Sequence, residues 1–391
     1  MTALFKLFLK MRWVYSSIAI VGLQLFFACN HRKISSEPNQ ECKDSNQVKY
    51  AKGFCLDHQE NYTIIKLLDP STGSPKKQWT LIPKGDPTPN DTPKEDIIEI
   101  PVTAIVPTST THIPPIELLE QEATIVGFPS LDYISSTRTR ARIDSGLVRE
   151  LGQNESLNTE VLITLKPEVL MTFSIDGQQK GLNKIKQGGI PIIYNGDWTE
   201  QHPLGKAEWI KVFGALFDKQ AQADSIFQEI EHNYQQLQLS AKQATSKPKV
   251  ISGALYKDIW YAPKGDSWAA QFLKDAHAEY LWSNTSGTGS LQWNIEKILQ
   301  YSQQAQVWIG PGQFTSYSQM TERSATYTQF KPFVNKRIFT FSKTKGPTGG
   351  LLYYEMASMR PDWVLSDLIY ILHPGQILKD YEPKFFTSLD P

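Results

Sequence analysis

The sequence predicts an α/β protein of two lobes joined by a long, rigid helix. Short apolar segments alternate with helical patterns twice, once before residue 206 and once after residue 246. Such alternation is typical of a mainly parallel sheet covered by helices. Between the two sets, apolar residues recur at helical spacing over residues 219–244. A helix of that length extends about 39 Å at ~1.5 Å per residue, enough to run from one lobe to the other.

The composition supports a large core and disfavours a nucleic-acid binder. Apolar residues make up 40% of the 391 residues, which excludes a wholly disordered chain. The 40 basic and 40 acidic residues cancel, whereas nucleic-acid-binding domains usually carry a basic excess. The 10 Trp and 16 Tyr suit a surface for bulky, partly apolar ligands, although core packing uses the same residues.

The first thirty residues have the features of an export signal. Basic residues precede an apolar run from Trp13 to Ala28, and Cys29 follows. This order resembles a bacterial lipobox, although Phe26 stands where Leu is usual. We therefore expect a signal peptide over residues 1–28, translated from Met1 or Met11, and a lipidated Cys29. An uncleaved anchor is the alternative, but the run is shorter than the ~20 apolar residues that a membrane span needs.

Residues 29–96 are expected to form a tether and an N-terminal extension. Strands are predicted at residues 48–51, 62–68 and 78–82. In an exported protein, Cys42 and Cys55 most simply form a disulfide, with two buried thiols as the alternative. Neither cysteine has the second cysteine pair or nearby histidine that a zinc site needs.

Two α/β lobes follow, with connector helices over residues 206–246 between them. The N-terminal lobe, residues 97–205, has predicted strands at Ile97–Val106, Thr124–Phe128, Val169–Phe173 and Ile190–Tyr194, and helices at Ile116–Gln121, Val161–Leu165 and Leu182–Gln187. The C-terminal lobe, residues 247–391, has predicted strands at Val250–Tyr256, Val307–Ile309 and Arg337–Phe341, and helices at Ser267–Ala276, Ile295–Tyr301 and Trp363–Leu372.

Motifs for catalysis or metal binding are missing from the sequence. The glycine-rich segment 346–350 lacks the Lys-Ser/Thr of a phosphate loop. The seven histidines do not pair at metal-ligand spacing, so neither a metal site nor a cofactor is expected. His112 alone stays a candidate, because it follows a predicted strand and strand ends line ligand crevices. The alternating arginines at 138, 140 and 142 suit a solvated helix face better than an anion site.

Residues 158–173 read Asn-Thr-Glu-Val-Leu-Ile-Thr-Leu-Lys-Pro-Glu-Val-Leu-Met-Thr-Phe, and a partner segment begins Trp293-Asn-Ile-Glu-Lys-Ile. Both resemble matching segments of the iron-chelate and cobalamin periplasmic binding proteins of ABC importers, and shorter similarities extend in the same order over about residues 97–380. The resemblance implies the class III fold of this family, in which ligand is held between two lobes. A rigid connecting helix resists large closure, so a mostly preformed cleft is expected.

The resemblance also implies a ligand, partners and a location. The ligand would be a ferric siderophore, haem or cobalamin, and the partners would be the permease and ATPase subunits of an ABC importer. The chain would be a monomer in the periplasm, tethered to a membrane by its lipid, without nucleic acid. Two alternatives remain open at this point: a secreted α/β enzyme without a recognisable motif, and a structural lipoprotein that binds no ligand.

Two sets of residues are predicted to act in this role. Aromatic and polar residues that follow predicted strands, or begin the next helix, are expected to line the cleft: His112, Tyr133, Trp198, Tyr256, Trp260 and Trp268, with Glu355 and Arg360 adding polar contacts or pairing with each other. Glu160 and Glu296 occupy matching places at two helix starts. The resemblance implies that they meet arginines of the two permease subunits. First-turn carboxylates also stabilise their own helices, which is the alternative for both.

Overall fold

The computed structural model describes residues 48–89, 92–173 and 181–391. The predicted signal peptide, Cys29 and Cys42 lie outside these ranges. Cys55 is disulfide-bonded, and its pairing with Cys42 stays a prediction. In the described part of the chain, none of the helices combines the length and the apolar character needed to span a membrane.

The N-terminal extension forms a sheet of its own. Its described strands are β1 (Phe54–His58), β2 (Thr63–Leu68), β3 (Pro75–Pro83) and β4 (Ile97–Ile100). They pair in the order β1-β2-β3-β4, antiparallel except for the parallel pair of β3 with β4. The single strand predicted at Ile97–Val106 is therefore wrong, because its first part belongs to this sheet and not to the N-terminal lobe. The first four residues of β3 are exposed or half-buried, and a buried run follows that includes Trp79 and Leu81, which pack into the core.

The strand predicted at residues 48–51 is wrong. The backbone N–H groups of Lys49, Tyr50 and Ala51 donate to the Glu208 carboxylate, at 2.7–2.9 Å. Those of Lys52 and Gly53 donate to Glu200 at 2.9 Å. Two buried carboxylates thus replace the neighbouring strand that a β-strand would require, and they fix the extension to the connector region.

The N-terminal lobe is built on a parallel sheet. Its described strands are β5 (Ile105–Pro107), β6 (Gly127–Phe128), β7 (Arg149–Glu150), β8 (Gly152–Gln153), β9 (Ser156–Leu157), β10 (Val169–Thr172) and β11 (Ile192–Tyr194). Its helices are α1 (Ile113–Leu118), α2 (Thr137–Asp144), α3 (Thr159–Leu165) and α4 (Leu182–Gln187). Strand β10 lies between β11 and β5, and these three apolar strands are buried throughout, as a sheet covered on both faces requires.

The connector consists of α5 (Pro203–Glu208), α6 (Ile210–Leu216) and the long helix α7 (Gln220–Ala241). Near its start, Gln222 donates to the Leu118 carbonyl of the N-terminal lobe at 3.3 Å. Toward its end, Tyr234 donates to Asp275 of the C-terminal lobe at 2.7 Å. The helix, about 33 Å long at ~1.5 Å per residue, therefore runs from one lobe to the other as predicted.

The C-terminal lobe carries two sheets. The described strands are β12 (Lys249–Ser252), β13 (Ala254–Tyr256), β14 (Ile259–Pro263), β15 (Glu279–Tyr280), β16 (Ser290–Asn294), β17 (Val307–Ile309), β18 (Ile338–Thr340) and β19 (Thr387–Ser388). The helices are α8 (Trp268–Asp275), α9 (Ile295–Ser302), α10 (Tyr317–Arg323), α11 (Lys331–Val334), α12 (Leu352–Met356) and α13 (Pro361–Leu372). The main sheet has the order β15-β12-β17-β18-β19 and is parallel except for β19.

A glycine divides the strand that was predicted at Val250–Tyr256. Gly253 has φ +94°, and a Cβ there would lie 2.0 Å from the Tyr261 carbonyl oxygen. The chain leaves the main sheet at this point and continues as β13 in an antiparallel sheet of order β13-β14-β16. The second sheet was not predicted, and it supplies one wall of the cavity described next.

Candidate ligand-binding cleft

The larger cavity lies where the strands of the C-terminal main sheet end. Its volume is about 1000 Å³, and its lining includes Ser252, Ile309 and Phe341, at or just after the ends of β12, β17 and β18. Helix α8 and strands β13 and β14 contribute further walls. Ligands of open α/β sheets bind outside the carboxyl ends of the strands, and a cavity of this size accommodates a bulky ligand.

A smaller cavity occupies the corresponding place in the N-terminal lobe. It has a volume of about 280 Å³ and is lined by Thr108–Thr110 after β5, by Phe128 of β6 and by Phe173 after β10. Gly350, Leu351 and Tyr354 of the C-terminal lobe complete it. Tyr354 also lines the larger cavity. The two cavities therefore adjoin at this residue, and together they are called the cleft below.

Aromatic rings dominate the wall of the larger cavity. They are Tyr256, Tyr261, Trp268, Phe272, Phe314, Phe341, Tyr353, Tyr354 and Phe386. Phe341 and Tyr353 stack with ring centroids 4.4 Å apart, which holds these rings in place. Asp, Glu, Lys, Arg and His are missing from the described residues that line either cavity. The described ranges also contain no cluster of three or more potential metal-ligating side chains.

Several predicted cleft residues lie where the sequence placed them. Tyr133 lines the smaller cavity, and Tyr256 and Trp268 line the larger one. Trp198 is exposed, and its indole N–H donates to the carbonyl of the cavity residue Phe173 at 2.9 Å. These four aromatic side chains are therefore in or beside the cleft, and their role in binding stays a prediction.

The placement of Trp260 in the cleft is wrong. Its side chain is 0% exposed and packs against Trp308 and Phe330, with ring centroids 5.2 and 5.6 Å away. Successive side chains of a strand point to opposite faces. On β14 Trp260 faces the core, and its neighbour Tyr261 lines the cleft instead.

His112 is also a core residue and not part of the cleft wall. Thr108, Ser109 and Thr110 line the smaller cavity, whereas the imidazole is fully buried near Phe213, 6.1 Å between ring centroids. Neither ring nitrogen has a hydrogen-bond partner among the described residues. Burial lowers the pKa of His112 to about 4, although Asp197 opposes this shift. The imidazole is therefore neutral at physiological pH.

Glu355 and Arg360 neither pair with each other nor line the cleft. The Arg360 guanidinium binds the Asp362 carboxylate with two hydrogen bonds, of 2.9 and 2.6 Å. Glu355 is buried and accepts the backbone N–H groups of Ser135 and Ser136, at 2.6 and 2.9 Å. Since these serines belong to the N-terminal lobe, Glu355 holds the two lobes together beside the smaller cavity.

Replacing Glu355 with Gln should change the pH dependence of stability. Burial raises the pKa of Glu355 from 4.5 to about 7, and the charge of Glu117 adds to this, while the two backbone N–H groups oppose it. The folded chain then binds more protons than the unfolded chain between these values, so the free energy of unfolding falls as the pH rises through this window. The neutral Gln should remove about 2–3 kcal/mol of that fall.

Urea unfolding of both proteins at pH 5 and pH 8 measures this difference. The matched control is Glu322→Gln, which changes an exposed carboxylate on α10. An unchanged difference between the two pH values in Glu355→Gln would show that the carboxylate does not titrate in this window.

The two predicted docking glutamates have equivalent local surroundings. Glu160 is in the first turn of α3, where the Asn158 side chain accepts the N–H of Val161 at 3.1 Å. Glu296 is in the first turn of α9, where Asn294 caps Lys297 at the same distance. Both glutamates are exposed. Each lobe thus presents one carboxylate from a capped helix start.

Sequence reasoning missed much of the aromatic wall. Tyr353 and Tyr354 closely follow the glycine-rich segment 346–350, whose pattern only excludes a phosphate loop. A Cβ on Gly350 would lie 2.3 Å from the Tyr133 carbonyl, so this loop must lack side chains to touch the other lobe. A glycine run followed by two tyrosines was the available signal.

Two α/β lobes, a connecting helix and an aromatic cleft at the strand ends define a class III periplasmic binding protein. The chain belongs to the periplasmic binding protein family, whose profile matches residues 105–345. The predicted fold class and family are therefore confirmed. Members are solute-binding proteins of ABC transporters and not enzymes.

Known relatives and solved structures resemble the chain over most of its length. An uncharacterized lipoprotein of Methanocaldococcus jannaschii is 26% identical over 92% of this chain and 89% of its own length. A possible iron-binding periplasmic solute-binding protein of Staphylococcus epidermidis has a TM-score of 0.56 at 18% identity, covering 70% of this chain and 99% of that one. A periplasmic haem-binding protein of Pseudomonas aeruginosa also gives 0.56, at 13% identity, with coverage of 74% and 99%.

Proposed function

We propose that the chain captures an iron chelate or a corrinoid in the cleft and delivers it to the permease of an ABC importer. The observation that carries the proposal is the cavity of about 1000 Å³ with its aromatic wall. Metal chelates and corrinoids are bulky, rigid and partly apolar, and aromatic rings bind such faces well. The names of the similar structures, one iron-binding and one haem-binding, support this ligand class.

Ligand binding is tested by tryptophan fluorescence and visible absorption. The chain purified from its host should carry a visible chromophore. Otherwise its tryptophan fluorescence should be quenched when a ferric siderophore, haem or cobalamin is added. Trp268→Phe should weaken the quenching, because the indole lines the cavity. Trp308→Phe is the matched control, since that ring is buried away from the cavity lining. Failure of every ligand class to bind would contradict the proposal.

A lipid anchor at Cys29 completes the proposed function. The relative that matches over 92% of the chain is named a lipoprotein, which supports this assignment. Intact-mass analysis of detergent-extracted protein should give a chain that starts at residue 29 and carries acyl groups. Cys29→Ser should abolish the added acyl mass. A mature chain that starts elsewhere would contradict the assignment.

A further inference from the structure

We propose that the cleft selects an electrically neutral chelate, rich in amide or hydroxamate groups, over a polyanionic one. This inference rests on the proposed function and concerns the charge of its ligand. It follows from the missing charged side chains in the described lining of both cavities.

Three charged side chains on neighbouring elements lie outside the lining of the cleft. Lys206 is buried behind the ring of Trp268, 5.0 Å from its centroid, and donates to the Asp197 carbonyl. Arg360 is paired with Asp362. Lys257, 5.7 Å from the ring centroid of Tyr256, is exposed at the rim. The described lining therefore offers no fixed cation to a bound anion.

The cost of burying charge makes this arrangement selective. A multiply charged chelate loses its hydration on entering a cleft, and only paired opposite charges compensate that loss. Sites that bind carboxylates or phosphates accordingly present arginine or lysine. Burying a neutral chelate costs less, because hydrogen bonds can replace the hydration of its amide-like groups, and its apolar faces gain contact with the aromatic rings.

The polar groups of the cleft suit uncharged partners. The amides of Gln313 and Asn154 and the hydroxyls of Tyr261 and Ser252 both donate and accept hydrogen bonds. Amide side chains of a corrinoid and the carbonyl oxygens of a ferric trihydroxamate have complementary chemistry. The shared class is a neutral chelate with many amide-like oxygens.

The test is titration of the purified chain with four probes: a neutral ferric trihydroxamate, cyanocobalamin, a trianionic ferric tris-catecholate and haem. At least one of the first two should bind about 100-fold more tightly than the tris-catecholate and haem. Its affinity should change little between low and high salt, because screening acts only on charged pairs. The neutral probe that binds identifies the source of the ligand.

Other outcomes separate this inference from the proposed function. Preference for the tris-catecholate or for haem would overturn the neutral-ligand inference and leave the proposed function standing. Binding of none of the four probes would overturn both. Gln313→Lys places a cation in the cleft and should improve tris-catecholate binding about tenfold. The matched control Gln300→Lys, on exposed α9 surface, should leave it unchanged.

Discussion

Replacing Trp260 with Ala is expected to lower the free energy of unfolding by about 3–5 kcal/mol, the range for deleting a buried aromatic ring. The ring is fully buried among Trp282, Trp308 and Phe330. Its N–H also donates to the Ser252 carbonyl at 3.1 Å, so removal leaves that carbonyl without this donor. Urea denaturation followed by circular dichroism measures the loss.

Tyr256→Ala is the matched control, because Tyr256 lies on the adjoining strand of the same hairpin and is 65% exposed. Its removal should change stability by less than about 1 kcal/mol, as for most surface substitutions, while ligand binding weakens. A stable Trp260→Ala protein with impaired ligand binding would show that Trp260 is a cleft residue after all.

The contrast between these two rings shows what can and what cannot be predicted from patterns in the sequence. Helix α7 is predicted because Phe227, Ile230 and Tyr234 recur at helical spacing. In the structure all three side chains are buried. Periodicity of this kind depends only on neighbours along the chain. Whether an isolated aromatic residue faces core or cleft depends on sheet pairing, which sequence spacing does not contain.

The β13-β14-β16 sheet shows this limit directly. Trp260 pairs with Trp293 across β14 and β16, residues that are far apart in sequence. Without that pairing, the alternation along Ile259–Pro263 cannot be assigned to core or cleft. His112 shows a similar limit. The chain after β5 lines the smaller cavity through Thr108–Thr110, but the imidazole is buried away from that cavity.

Long-range polar contacts also could not be predicted from the sequence. Glu200 and Glu208 bind the backbone of residues 49–53, and Glu355 binds that of Ser135. In each case a carboxylate meets N–H groups more than a hundred residues away, and local patterns carry no signal of it. The matching Asn-x-Glu helix starts were visible, because capping is a short-range interaction.

Replacing both Glu160 and Glu296 with Ala is expected to reduce transport through the cognate permease about tenfold or more, with ligand affinity unchanged. Two carboxylates, one on each lobe, match a permease of two equivalent subunits, and each pair with an arginine would add attraction and orientation. Each single substitution should reduce transport only about threefold, since one contact still guides association.

The measurement compares uptake by reconstituted importer with ligand titration of the same receptor variants. Glu229→Ala with Glu322→Ala is the matched control, because it removes two exposed carboxylates and so changes the net charge equally.

If Glu160 and Glu296 act only on their own helices, the double variant should lose about 0.3–1 kcal/mol per helix and transport normally. If they dock the receptor, transport falls while unfolding changes little, and raising the salt concentration weakens wild-type association toward that of the double variant. Undiminished uptake by the double variant would refute docking, and loss of ligand affinity would assign the two glutamates to the integrity of the receptor instead.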